Sequence, residues 1–402
     1  MRLLSVLLLL FILPFVASAQ VMEELREKQQ PTPIPCKGFK ESSLFDGTPA
    51  LIRDCETGEE FYFATSLDQL KAGTRALSLR NSNLSTFPVE ILKYPQLCIL
   101  DLSSNLIATI PPEIRKLKNL RYLNLGNNSI VSLPNEIWSL HALKELYLTG
   151  NQIDSLPEGL GQLKNLQELY LINCGLQRLP ASLGQLTHLR VLSITGNRLT
   201  ALPSLGGLTQ LEDLELGRNK LQALPDDIGK CASLQTLNIS GNQLQTLPAS
   251  IGQLKALNWL FASLNKISVL PPELGQMSSL KTLEINDNQL ITLPEGVGQL
   301  NKLSTLDASY NRLERLPDDL GNLTSLYRLS LNRNALSALP ASTSKLTSLR
   351  QLELAANRLA TLPPDLKNMT NLAYLSLANN PPLPKELVEQ LKKDMPKCQV
   401  LF

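Results

Sequence analysis

Histidine is almost missing from these 402 residues: only His141 and His188 occur. Each stands one or two residues before a leucine, far from the other and with nothing at metal-ligand spacing, so both read as surface residues. No C-x-x-C, H-E-x-x-H, G-x-S-x-G or P-loop pattern is present, which removes the common metal, nucleophilic and nucleotide chemistries. An excess of either charge is missing too. The 38 Lys+Arg against 36 Asp+Glu argue against nucleic acid or an anionic membrane as partner. Aromatics are scarce, at 5%, so any that face solvent deserve individual weighing. Beyond one run at the start, no apolar stretch is long enough to span a bilayer, and the mature chain is expected to have no membrane span. These absences leave no catalytic constellation and call for no cofactor.

The one apolar run reads as an address. Met1-Arg2 gives a positive start, Leu3 to Val16 is almost wholly apolar, and Ala17-Ser18-Ala19 is the small-x-small pattern a signal peptidase accepts. The run is short for a membrane anchor and Pro14 interrupts it. Cleavage before Gln20 is expected, and Gln20, not being Cys, offers no site for a lipid anchor. The mature protein is therefore expected to be secreted or periplasmic. In an oxidising compartment the six cysteines invite a disulfide count.

From residue 74 one unit recurs. Leu120-Arg121-Tyr122-Leu123-Asn124-Leu125-Gly126-Asn127-Asn128-Ser129-Ile130 runs into Val131-Ser132-Leu133-Pro134-Asn135-Glu136-Ile137. The pattern is L-x-x-L-x-L-x-x-N-x-[LI]-x-x-L-P-x-x-[IL]. Its Asn marker returns every 23 residues from Asn105 to Asn380, apart from an interval of 22 between Asn197 and Asn219. Cys174 takes the marker's place in the fifth unit and Ser82 in the first. A fixed period overrides the usual length prior, because a solenoid grows in one dimension without a new core. The L-x-L core predicts a short strand whose alternate side chains enter one interior. The Asn amide can bond the backbone of its own and the neighbouring turn, and Pro after Leu begins a short helical or 3-10 arc. Consecutive strands lie about 4.8 Å apart, so Cys98 and Cys174, more than three repeats apart, are too distant to bond. Cys98, Cys174, Cys231 and Cys398 therefore read as buried thiols, which leaves Cys36–Cys55 as the one plausible bridge.

Thirteen Leu-Pro or equivalent steps in register resemble the leucine-rich repeat superfamily over residues 74–383. The L-P-x-x-I-G-x-L form is similar to the Ras-group repeats and to many exported bacterial repeat proteins, and the leader favours the exported group. The resemblance implies an α/β solenoid: a horseshoe with a parallel concave β-sheet and short helical or 3-10 segments on its convex side. It also implies a framework for protein interaction. Around the repeats the sequence divides into a leader (1–19), a polar Pro-rich linker (20–35), a strand-rich N-terminal cap (36–73) and a C-terminal cap (384–402) with an amphipathic helix and a last strand. About thirteen full units and a terminal one lie between the caps.

The register says which residues line the concave face of repeats four to nine. In x-L-x-L-x the leucines point inward and the x residues outward. One column reads Tyr122, Glu145, Glu168, Val191, Asp213, Thr236, Trp259; the other reads Asn124, Tyr147, Tyr170, Ser193, Glu215, Asn238, Phe261. Glu284 and Asp307 follow. Exposed aromatics beside carboxylates suit a protein partner with a basic or mixed basic and apolar surface. A glycan or envelope-polymer receptor that stacks sugars on exposed tyrosines is the alternative from another class. Inhibition of a secreted enzyme is a special case of the first. The same residues also read as ordinary sheet surface, where aromatics have good β-propensity.

Overall fold

The structure, a computed structural model, describes residues 50–53 and 60–402. The leader, the Pro-rich linker, Cys36 and Cys55 lie outside the described residues. The described residues fall into two compact units, those up to residue 78 and those of 79–402. In the first, strand Ala50–Arg53 pairs antiparallel with Glu60–Ala64, which in turn pairs parallel with Thr74–Ser78. A 3-10 turn at Leu67–Gln69 connects the latter two. It is held by Gln69, whose side-chain Oε1 accepts the Thr65 backbone N–H at 2.8 Å.

In the second unit fourteen strands of three residues each, from Ile99–Asp101 to Gln399–Leu401, form one parallel ladder. Successive strands pair with no slip: Leu123 faces Leu146, Leu146 faces Leu169, and Leu237 faces Leu260. The central leucine of every strand from Leu100 to Leu375 is at most 1% exposed. Inward leucines stacked at the strand spacing make one continuous core.

The marker does what its chemistry allows. Asn128 Nδ2 donates to the carbonyls of Leu102 and Leu125, both at 3.0 Å, while its Oδ1 accepts the Ile107 N–H at 3.0 Å. The same three bonds recur at Asn242, to Leu216, Ile239 and Leu221. Cys174 substitutes in part: its Sγ donates to the Leu148 carbonyl at 3.2 Å. In most units the Pro then caps a 3-10 turn rather than an α-helix, as Pro134 does for Asn135–Ser139; the turn at Val297–Gln299 is capped by Gly296 instead. Consecutive turns press together so closely that a Cβ on Gly298 or Gly252 would run into the carbonyl oxygen of Asp319 or Glu273. That close approach explains the recurrent Gly on this side.

The 22-residue unit is the irregular one. Its short Pro203–Leu208 segment forms no 3-10 helix. Asp227 of the following turn accepts the backbone N–H groups of Leu205 (3.2 Å) and Gly206 (3.0 Å) and the Ser204 hydroxyl. Burial pushes the Asp227 carboxyl up, but these bonds outweigh it and hold it below the usual carboxylate range. A side chain from the next repeat thus stabilises what the deletion removed.

Of the four cysteines from residue 98 onward, Cys174 and Cys231 are buried, whereas Cys98 and Cys398 are only half-buried. The expectation of four buried thiols is corrected for that pair. His141 and His188 are exposed, each with Nδ1 against a carbonyl of a neighbouring turn. Helix Lys385–Asp394 buries Val388 and Leu391, and strand Gln399–Leu401 follows it. Among the described residues no helix is long and apolar enough to cross a membrane.

Candidate functional site

The outward side chains of the ladder form the candidate surface, and the register puts them in the two expected columns. Tyr122, Glu145, Glu168 and Val191 follow one another in one column, Asn124, Tyr147, Tyr170 and Ser193 in the other. Their exposure is where the expectation fails. Tyr122, Tyr147, Tyr170 and Phe261 are only 8%, 5%, 7% and 3% exposed. The reason is lateral packing. Side chains about 4.8 Å apart on adjacent strands can lie on one another instead of standing into solvent. Tyr147 and Tyr170 stack at 4.6 Å between centroids with 6° between planes, and Tyr122 tilts onto Tyr147 at 5.1 Å. Ile99, Ile172 and Val191 pack around the three rings. Trp259 is half-buried, with the Lys281 ammonium 5.7 Å from its ring centroid.

The tyrosine hydroxyls tie the carboxylates to this stack. Tyr147 donates to Glu145 at 2.9 Å, and Tyr170 donates to Glu168 at 3.1 Å. Burial, with Glu168 alongside, pushes the Glu145 carboxyl up to about 7, although the bond from Tyr147 and the Lys144 charge pull it down. Burial also raises Glu168, against the hydrogen bonds from Tyr170 and Tyr147. The three phenols are raised as well, chiefly by burial. Five strands on, burial and the Asp307 charge push Glu284 up to about 7, with Arg328 acting against them. Asp307 is raised by burial despite its bonds from Ser309.

Three residues of this surface escape a reading confined to repeats four to nine: Asp101, Arg328 and Glu353. Arg328 pairs with Glu353 at 2.9 Å, and Glu353 also accepts from Asn332 Nδ2 at 2.7 Å. Extending the same two columns one repeat back and two forward finds them, so the signal was there. With them counted, the two columns between Ile99–Asp101 and Tyr374–Ser376 hold Asp101, Glu145, Glu168, Asp213, Glu215, Glu284, Asp307 and Glu353, against Arg328 as their only cation. The arrangement offers a long acidic strip with aromatic patches flush in it. Among the described residues no group of side chains could hold a metal ion.

A family model described as a leucine-rich repeat region matches residues 112–217, 194–289 and 262–335, and another, described as leucine rich repeat, matches 321–381. No curated protein matches the chain. A leucine-rich repeat protein of Leptospira interrogans is 34% identical with a TM-score of 0.60, over 84% of this chain and 97% of its own. The PEPR1–AtPEP1 structure is 33% identical with a TM-score of 0.64, over 78% of this chain and 46% of that one. The plant peptide hormone receptor RGFR1 in complex with RGF2 is 27% identical with a TM-score of 0.54, over 82% of this chain and 63% of that one. This chain thus spans less than half the PEPR1 chain and less than two thirds of the RGFR1 chain.

Proposed function

The chain belongs to the leucine-rich repeat family, and on that premise we propose that it is an exported, non-catalytic binding module. Its sheet face takes a protein with a basic or mixed basic and apolar surface. The observation that carries this reading is the acidic strip: eight carboxylates and one cation in the two central columns of a chain whose total charge is balanced. Such segregation produces a field that an opposite surface can use for orientation and rate. The flush tyrosine patch supplies apolar area beside it. That the related receptor RGFR1 was seen with a bound peptide hormone supports a protein ligand. The glycan alternative loses ground, because rings stacked on each other offer edges rather than faces to a sugar. The leader supports export, and the intact mass of the secreted product tests it, since a mature chain beginning elsewhere than Gln20 removes that part of the proposal.

Binding is measured with a labelled peptide of alternating Arg and Leu, and with its Glu and Leu counterpart as control. The cationic peptide should bind more weakly as salt rises, because the field that the strip projects into solvent is screened within about 8–10 Å. Tyr147→Ala with Tyr170→Ala should weaken it by more than about 1 kcal/mol, and Lys164→Ala on the opposite side should not. If Lys164→Ala weakens binding and the tyrosine changes do not, the face is misassigned.

A further inference from the structure

Residues on either side of the Asn marker leave the sheet face and form its rim. From Asn219 onward this rim has a period of two repeats that the fold does not require. Lys220, Lys266, Arg312 and Arg358 follow the marker at intervals of 46 residues. All four are exposed, and among the described residues none is in an ion pair. The intervening units carry Gln243, Gln289 and Ala335 at the same place. Two repeats of a parallel ladder advance roughly 10 Å, so four cations stand in a row about 30 Å long.

The position just before the marker is more mixed, since Arg218, Arg333 and Ala356 also occupy it. Its backbone is left-handed, which suits the Gly, Asn or Asp found there in Gly150, Asn173, Gly241 and Asp287. Yet Leu264 has a φ of 57° and Tyr310 a φ of 52°, and the two are again 46 residues apart. Both stand out from the surface, Leu264 at 60% exposure and Tyr310 at 39%, with Arg333 stacked over the tyrosine at 5.1 Å. Large apolar side chains in a conformation that disfavours them, pointing at water, cost the folded monomer strain and exposed apolar area, which the Arg333 contact offsets only at Tyr310. The strain calls for another use.

We propose that this rim, from Arg218 to Arg358, is a second binding surface that takes an extended acidic and apolar polypeptide segment. A polyproline-II segment advances about 9 Å in three residues and makes one turn in doing so, so carboxylates three apart share a side and would meet Lys220, Lys266, Arg312 and Arg358 in turn. Apolar side chains between them would lie on Leu264 and Tyr310. The acidic strip beside the rim repels such a segment and keeps it off the sheet face. The cations on the opposite rim are engaged elsewhere: Arg190 with Glu212, Lys281 over Trp259, Arg350 over Tyr327. This surface is separate from the sheet face in position and opposite in sign, so either assignment can fail alone.

The test uses the full mature chain and a fluorescein-labelled peptide of four Glu-Thr-Leu triplets, followed by anisotropy at low and high salt. The peptide should bind and be released by salt, and Lys266→Glu with Arg312→Glu should weaken it by about tenfold or more. Leu264→Gly with Tyr310→Gly should also weaken it while leaving the thermal midpoint unchanged or higher, since glycine suits the left-handed backbone. No binding by the unaltered protein, or binding that survives the double charge reversal, overturns the proposal. So does a fall in midpoint with unchanged binding in the glycine variant, which would make both side chains structural. Equal binding of heparin that ignores Leu264 and Tyr310 would show a general polyanion rim and likewise sink the peptide assignment.

Discussion

Each strand of the repeat unit has two sides that obey different rules. The inward side is nearly uniform: one leucine after another, closed off by an asparagine whose bonds recur from turn to turn. The outward side, on the same three residues, varies, passing from Tyr147 to Tyr170 to Ser193 to Glu215 on consecutive strands. The solenoid constrains only what its neighbours must pack or bond against. Whatever is not so constrained is free to encode a partner. The largest expected effect sets two residues of one type on the two sides. Asn242 satisfies the Leu216 and Ile239 carbonyls and the Leu221 N–H, whereas Asn238, four residues earlier, faces outward and accepts only the Ser240 N–H, at 3.0 Å. Asn242→Ala should cost about 2–4 kcal/mol in denaturant unfolding and Asn238→Ala less than about 1. Equal losses would erase the distinction between the sides.

This division decides what was legible in the sequence. Inward positions announce themselves by recurrence, so the strand register, the marker ladder and the proline-capped turns follow from pattern alone. Outward positions could be placed in columns but not given an exposure. Whether Tyr147 stands free or stacks on Tyr170 depends on side-chain torsions that no periodicity reports, and the two rings stack. The half-exposure of Cys98 was hidden for a similar reason: it precedes the strand on the rim, outside the leucine positions that burial tracks. The segment around Ser204 shows the converse. Its missing residue was visible, but the clasp by Asp227 comes from 23 residues downstream and has no local signal.

Next in size is a pH effect confined to the outward side. Glu145 and Glu284 are held up to about 7 by burial, against an ordinary value of 4.5. Between those values the folded chain binds more protons than the unfolded one, so stability is lost as pH rises from about 4.5 to about 7. Glu145→Gln and Glu284→Gln should each remove part of that loss, up to about 2 kcal/mol near pH 8 and little at pH 5. Thermal melts at both values check it; a variant as pH-dependent as the parent would contradict the burial argument. The same protonation should weaken the cationic peptide below pH 7, while the acidic peptide on the rim, held by Lys and Arg, should not weaken there. Parallel pH profiles for the two peptides would mean that they share one surface.

The smallest effect tests whether the inward rule holds where the chain departs from it. Cys174 occupies a marker position with a thiol that gives one bond, to Leu148, where an asparagine gives two donors and an acceptor. The acceptor is the greater loss. In the preceding turn the Ile130 N–H is taken by Asn151 Oδ1 at 3.0 Å, but its counterpart, the Ile153 N–H, finds no acceptor among the described residues. Ile153 is 1% exposed, so water does not substitute easily. Cys174→Asn should fill that place and complete the ladder between Asn151 and Asn197. A gain of about 1 kcal/mol is expected, seen as a rise of roughly 2 °C in thermal midpoint. Asn151→Cys, the reverse change one repeat away, should lower the midpoint by a comparable amount. If Cys174→Asn is instead destabilising, the neighbourhood has repacked around sulfur, and the marker's bonds are not interchangeable between turns as the regular ladder implies.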